Sequence, residues 1–551
     1  VSGQILGAGN VLISGQSLSA QTVVAGIDFD ATNGAGGNIA LGQAGDLTVS
    51  VNGTLAVPTI QAAGTIDVKA GNISANTISG HKNIALSGTT AVDGQILGAN
   101  DVSISGSSIK AGAVVSGVDF ARTAAANGNI VLTTSGNLSL ISAGSLTAGT
   151  LLSAGDLSAS GATVGANTVR SHGDVSVDGA TTVSGQILGA GNVLISGQSL
   201  SAQTLVAGID FDATNVANGN IVLGQSGVLT VSVNGAVTAP TIQAAGAIDI
   251  SGATITADAI TGHKDVTLSG ATTIDRQILG GGDVNISGPS IKAGTIVSGV
   301  DFLGTAAANG NIVQTTSGDV SLTSSGNITV GTLLSADDLS AAGSTISADG
   351  VTAHGDVSLD GATNVSGQIL GARNVLITGQ SLSAQTVVGG IDFDATNAAS
   401  GNIVLGQAGD LTVSVNGAVA ASTLQAAGAI DVSGTSITAD AITGHKDITL
   451  SGATGTTTAS GRVDINRQIL GGGDVSVSGS SIKAGTIVSG VDFVTTAAAN
   501  GNIALASSGD LNLASIGNIN AATLLSAGDL KAAGSTVVAE AVTAHGDVTL
   551  D

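Results

Sequence analysis

Histidine occurs six times in the chain, at His81, His172, His263, His354, His445 and His545. Five of these carry an acid two positions on, Asp174, Asp265, Asp356, Asp447 and Asp547, while Asn83 follows His81. Imidazole beside carboxylate is the raw material of a metal site or a proton-transfer pair. The spacing decides against both. The histidines recur every 91 residues as far as His445, an interval that becomes ~24 Å in the stacked architecture argued below, beyond any shared coordination sphere. One His with one Asp is a poor ligand set, so the expectation is an exposed corner residue, with no metal and no cofactor.

The Gly-Asp and Gly-Asn pairs invite comparison with calcium-binding nonapeptide repeats, but the nine-residue spacing is missing and carboxylates are too sparse for six to eight oxygen ligands. Phenylalanine also occurs six times, at Phe29, Phe120, Phe211, Phe302, Phe393 and Phe493. It takes the place in the pattern that Leu47 and Ile66 hold elsewhere, so it is expected to fill core rather than to shelve a ligand. A catalytic centre needs converging acids or bases in one place unlike its surroundings. Nearly every feature here is repeated, and the chain is not expected to be an enzyme.

One patch is unrepeated. His445 to His545 and Phe393 to Phe493 are both 100 residues apart instead of 91. Aligning SGATTIDRQILGGGDV (269–284) with SGATGTTTASGRVDINRQILGGGDV (451–475) assigns the excess to Gly455, Thr456, Thr457, Thr458, Ala459, Ser460, Gly461, Arg462 and Val463. Nine residues are half of the short period described next. The segment should therefore leave the structure at a corner and return as a surface loop carrying Arg462, the best single candidate for a specific contact.

The elements that hold these residues follow from repetition. Residues 1–33 return as 183–215 with one change and as 365–397 with three, Arg373, Thr378 and Gly389 in place of Gly9, Ser14 and Ala25. A fainter copy lies halfway, giving units 1–91, 92–182, 183–273, 274–364, 365–455 and 456–551. Inside the unit, paired apolar residues one position apart recur about every 18 residues: Val11 and Ile13, Ile27 and Phe29, Leu47 and Val49, Ile66 and Val68, Ile84 and Leu86. Alternation within each pair marks strands, and five per unit implies five turns. The second is least regular, and the Ala-rich TAAANGN of its counterpart at 123–129 is too short to nucleate a helix.

Short strands at fixed spacing, broken by Gly, Asn, Ser and Asp, bury their inward faces when the chain coils and each turn pairs with the next. The expected fold is an all-β, parallel β-helix or β-solenoid of about 30 turns of 18–19 residues, rising ~4.8 Å per turn, continuous over residues 1–551 and part of a longer chain. Asn and Thr at the corners can ladder up the stack. A string of Ig-like sandwiches is the rival, but it predicts no fixed sub-period, and a propeller needs a period of 40 to 50.

Composition agrees with a narrow core. The chain has 84 Gly, no Cys, Met, Trp or Tyr, and 1% aromatic residues, yet it is 42% hydrophobic, which excludes a disordered chain. The net charge of −24 and the scattered bases argue against nucleic acid. No apolar run is long enough to span a bilayer as a helix, and the lack of Cys suits a chain exported unfolded.

The runs GNVLISGQSLSA, GDLTVSVNGTLA, GNISANTISG and GHKNIALSG resemble the repeats of filamentous haemagglutinin-type exoproteins of Gram-negative bacteria. The resemblance covers the whole chain and implies a right-handed helix. It also implies export through a dedicated outer-membrane two-partner-secretion transporter, and display at the cell surface as the shaft of an adhesin facing a host or neighbouring-cell receptor. Contact-dependent growth inhibition proteins share this shaft and add a toxin, which makes a toxin-delivery stalk the alternative. A polysaccharide-cleaving β-helix is a third reading. The family's secretion domain and an RGD tripeptide are not present in this sequence.

Overall fold

The computed structural model describes residues 1–32, 39–125, 129–214, 221–307, 311–396, 403–452, 461–498 and 502–551. They fall into two compact units, Val1–Gly270 and Ala271–Asp551. Each is all-β, with its strands paired in parallel to the strands one coil before and after. Helix among the described residues is confined to three segments of six residues, Phe120–Ala125 (α1), Phe302–Ala307 (α2) and Phe493–Ala498 (α3).

In Val1–Gly270 the register runs from Val11 to Leu47, Ile66, Ile84 and Val102, steps of 36, 19, 18 and 18 residues. It then repeats from Val102 to Leu138, Leu157, Val175 and Val193. In Ala271–Asp551 the same ladder passes Val284, Val320, Leu339, Val357 and Val375. Each 91-residue repeat thus contributes four stacked coils, not five. The expected second turn is missing from the stack, because the coil that contains it is twice the usual length.

Like residues stack on like. Leu47, Ile66 and Ile84 lie one above another, each at most 1% exposed, and Val49, Val68 and Leu86 form the next column inward. Branched aliphatic side chains fill this column from coil to coil and, among the described residues, no aromatic ring enters it. The Phe expectation is corrected in its position: Phe211 and Phe493 are partly buried against small apolar clusters outside this column, and not at the strand position of Leu47 and Ile66. A ring placed in a column of Val, Ile and Leu would push neighbouring coils apart, whereas outside it costs nothing in register.

The described part of the extra residues in the long coil forms a strap over the outer face. It leaves through a glycine with left-handed φ, Gly26, Gly117 and Gly208 in the first unit and Gly299, Gly390 and Gly490 in the second, at 64° to 76°. An L side chain rarely adopts that conformation, and the space is closed as well: a Cβ on Gly299 would run into the Ala336 Cβ and the Ser317 carbonyl oxygen. Gly299→Ala should therefore destabilise the second unit by about 2 to 4 kcal/mol. Chemical denaturation followed by far-UV circular dichroism tests this, and an unchanged midpoint would mean the strap is free to shift.

Candidate functional site

Every strap is built from the same few residues. An aspartate one position before the Phe caps the first turn, with Asp119 Oδ1 accepting the Arg122 N–H at 2.9 Å, Asp301 Oδ1 that of Gly304 at 2.9 Å and Asp492 Oδ1 that of Thr495 at 3.0 Å. Asp28, Asp210 and Asp392 do the same for Ala31, Ala213 and Ala395 at 3.0 to 3.1 Å. Four residues after each cap a threonine hydroxyl receives a backbone N–H from the returning leg, as in Val131 to Thr123 at 3.0 Å, Val222 to Thr214 at 3.0 Å and Val404 to Thr396 at 3.1 Å. An isolated antiparallel bridge, such as Ile209 with Leu223, joins the legs.

This explains the helices that the alanine count alone argued against. A capped turn pinned at its far end by a threonine is held by tertiary contacts, so nucleation is not left to Ala propensity. Under the strap lies a small apolar cluster. Leu188, Val206 and Ile209 pack against Phe211, Ile221 and Leu223, and Leu470, Val488 and Val491 against Phe493, Leu505 and Leu525.

The strap brings together the two rarest residues. Phe120 lies on His81 with ring centroids 4.3 Å apart, Phe211 on His172 at 4.6 Å, Phe393 on His354 at 4.6 Å and Phe493 on His445 at 4.4 Å. Each histidine directly follows a strand, two coils before the strap that covers it. The expectation of a free corner histidine is thus half right, since the residue is at a corner but is capped by a ring. Sequence reasoning counted His and Phe separately and missed the pair. The signal was their fixed offset of 39 residues, kept in His81 and Phe120, His172 and Phe211, and His354 and Phe393.

Arg170 was also missed. It holds its guanidinium carbon 4.0 Å from the Phe211 centroid, on the strand position that Ser79 and Thr261 occupy elsewhere in the unit. Burial pulls its pKa down, and its Nε is buried with no hydrogen-bond partner.

The Gly-Asp and Gly-Asn corners form a ladder. In the first unit the Oδ1 atoms of Asp101, Asn137, Asp156, Asp174 and Asn192 each accept a backbone N–H from the next coil at 2.7 to 2.9 Å. In the second, Asp283, Asp319, Asp338, Asp356, Asn374 and Asp410 do so at 2.7 to 3.0 Å. These aspartates are structural acceptors, and among the described residues no group of three or more His, Cys, Asp or Glu side chains is arranged to hold a metal.

The unrepeated segment is partly placed. Gly455, Thr456, Thr457, Thr458, Ala459 and Ser460 lie outside the described residues. Gly461 donates its N–H to the Gly452 carbonyl, and strand Arg462–Gly471 begins at once. Val463 is fully buried and stacks between Ile437 and Ile482, so Arg462 and Val463 belong to a strand and not to a loop. Arg462 reaches Asp464 at 3.3 Å. Because Val463 meets Ile482 as Thr272 meets Ile291, while Ser451 keeps its place opposite Ser478, the nine extra residues fall between Ser451 and Arg462. Alignment by identity had run on through the chance match of Ala453 and Thr454.

Two predictions follow from these placements. Deleting 452–460 joins Ser451 to Gly461 as Ser269 joins Gly270, so the thermal midpoint should move by only about 2 °C or less. Val463→Asp buries an unpaired charge and should lower the midpoint sharply; equal effects from the two changes would contradict the register. The second prediction concerns pH. Burial, the first cause in each case, holds His81, His172, His263 and His445 below the ordinary imidazole value of 6.5, and for His172 the Arg170 charge adds to it while Asp212 opposes. The unfolded chain then binds more protons just below 6.5. Their contribution is complete above that value and is lost as pH falls toward the folded pKa. Thermal unfolding between pH 5.5 and 8 should show the midpoint dropping with acid, and replacing the four histidines by glutamine should flatten that slope.

No family model, no curated protein and no solved structure matches this chain.

Proposed function

We propose that this chain is the shaft of a secreted, surface-displayed filament of the filamentous haemagglutinin type, a right-handed parallel β-helix that holds binding elements away from a Gram-negative cell. The observation that carries the reading is the coil register. In each unit every coil presents the same inward column to the next, which is the way a chain makes length from a short motif. The resemblance of GNVLISGQSLSA and its kin supports the export route, through an outer-membrane two-partner-secretion transporter, and a receptor on a host or neighbouring cell.

The residues that repeat are occupied with architecture, the aspartates with laddering and the histidines with strap packing, so the reading assigns them no catalytic part. At four coils per repeat and ~4.8 Å per coil the filament segment has an expected length on the order of 115 Å. Small-angle scattering on the purified chain tests this. A maximum dimension near that value with a thin cross-section is the expected result, and a compact particle would overturn the shaft. Adhesion is tested separately by coating beads with the chain and counting those retained on host cells. Retention no greater than on albumin-coated beads would remove the flank of this segment as the adhesive surface.

A further inference from the structure

The strap after Val365 differs from its sister after Val183 in a way that has a chemical consequence. Both carry two acids around the ring, Asp210, Phe211 and Asp212 in the first unit and Asp392, Phe393 and Asp394 in the second. Both rest on a histidine, at the same 4.6 Å between ring centroids. In the first, the chain supplies its own cation, the Arg170 guanidinium, 4.0 Å from the Phe211 centroid. In the second, the equivalent residue is Thr352, which carries no charge. A shallow, open surface depression of about 370 Å³ lies at Phe393, lined by His354, Asp392, Asp394 and Gln407 among others.

We propose that Phe393 with Asp392 and Asp394 is a docking site for a guanidinium or alkylammonium group, the end of an arginine or lysine side chain on a partner protein. The ring gives a cation–π surface and the acids give charge-assisted hydrogen bonds. Asp392 Oδ1 is engaged by the Ala395 N–H at 3.0 Å, which orients that carboxylate, and among the described residues its second oxygen takes no hydrogen bond. Asp394 is exposed beside the ring. The net charge of −24 concentrates cations at the surface, and the Arg170 pairing shows that this strap accepts a guanidinium on its Phe.

The other straps are poorer. Those with α1, α2 and α3 have Ala121, Leu303 and Val494 where the second acid stands. The two-acid copy at Asp28 and Asp30 lies fewer than 39 residues from Val1, so no histidine of this sequence stands at the offset that seats the other rings.

The test is isothermal titration calorimetry of the full chain with acetylarginine amide and acetyllysine amide at low ionic strength and again at about 0.15 M salt, where the Debye length falls to about 8 Å. The expected result is saturable binding close to one equivalent, weakened at least tenfold by Asp394→Asn. Thr352→Arg should abolish it by supplying an internal guanidinium, and Arg170→Thr should add a second equivalent. Unfolding midpoints measured on each variant separate loss of the site from loss of fold. Absence of saturable binding would overturn the proposal. So would equal affinity in the wild type and Thr352→Arg, or heats that vanish alike in all variants when salt is raised.

Discussion

Everything in either unit depends on the in-register parallel hydrogen-bonding of one coil to the next. The bond from Leu47 N–H to the Thr65 carbonyl, at 2.9 Å, is followed by that from Ile66 to Asn83 at 3.0 Å and from Ile84 to Asp101 at 2.9 Å. A residue therefore meets its equivalent 18 or 19 positions away, and a side chain that suits one coil must suit its neighbours. Coil length becomes a quantised property. Extra residues cannot be shared out along the path without turning inward positions outward, so they must leave and return at nearly the same point. The straps and the nine-residue insertion obey this rule in the same manner. Gly208 and Gly224 are tied at the base of one strap by a 2.7 Å bond, and Gly452 and Gly461 are tied at the neck of the insertion.

A strap has a second requirement, an apolar floor. Outward positions of a solenoid coil are polar by default, yet Val206 and Leu188 point outward and are nearly inaccessible because the strap covers them. The strand signature, the spacing and the narrow aliphatic core were legible in the sequence because they follow from local alternation. The strap was not, although its trace was present: Ile5 with Leu6 and Val23 with Val24 break alternation. Such doublets say that both faces of a strand are covered. Ile27 and Phe29 have the spacing of a strand pair, but an α-turn from the Asp28 carbonyl to the Thr32 N–H takes them out of the ladder. Period alone cannot distinguish a residue that belongs to a coil from one that replaces it.

The acidic ladder shows what stacking does to charge. Carboxylates repeated on one corner repel one another, and each is compensated by the N–H it accepts. For Asp46 the Thr65 N–H is the largest influence and lowers its pKa. For Asp319 burial comes first, and neighbouring Asp283, Asp338 and Asp337 add to it, so that its pKa rises despite the Asp338 N–H. In the first unit Asn137 and Asn192 interrupt the acids and keep the acceptors without the charge. In the second, Arg373 pairs with Asp337 and Asp338. That arginine is one of three changes that distinguish its 33-residue segment from the first copy, where Gly9 stands.

Arg373 and Arg170 together change how the repetition is to be understood. A faithful copy forces like groups into register, so it multiplies every unfavourable contact as well as every favourable one. A single substitution in one copy can then act on a column of acids or on the face of a ring. The one length change in the sequence is the obvious mark of individuality, but the ladder keeps its register on either side of it, at Ser451 and at Val463, as if the extra residues were left out. Substitutions cannot be excluded in this way. In a solenoid of near-identical coils, single outward residues that differ between copies, Arg170 against Thr352 and Asp394 against Leu303, are where one segment acquires chemistry that its siblings lack.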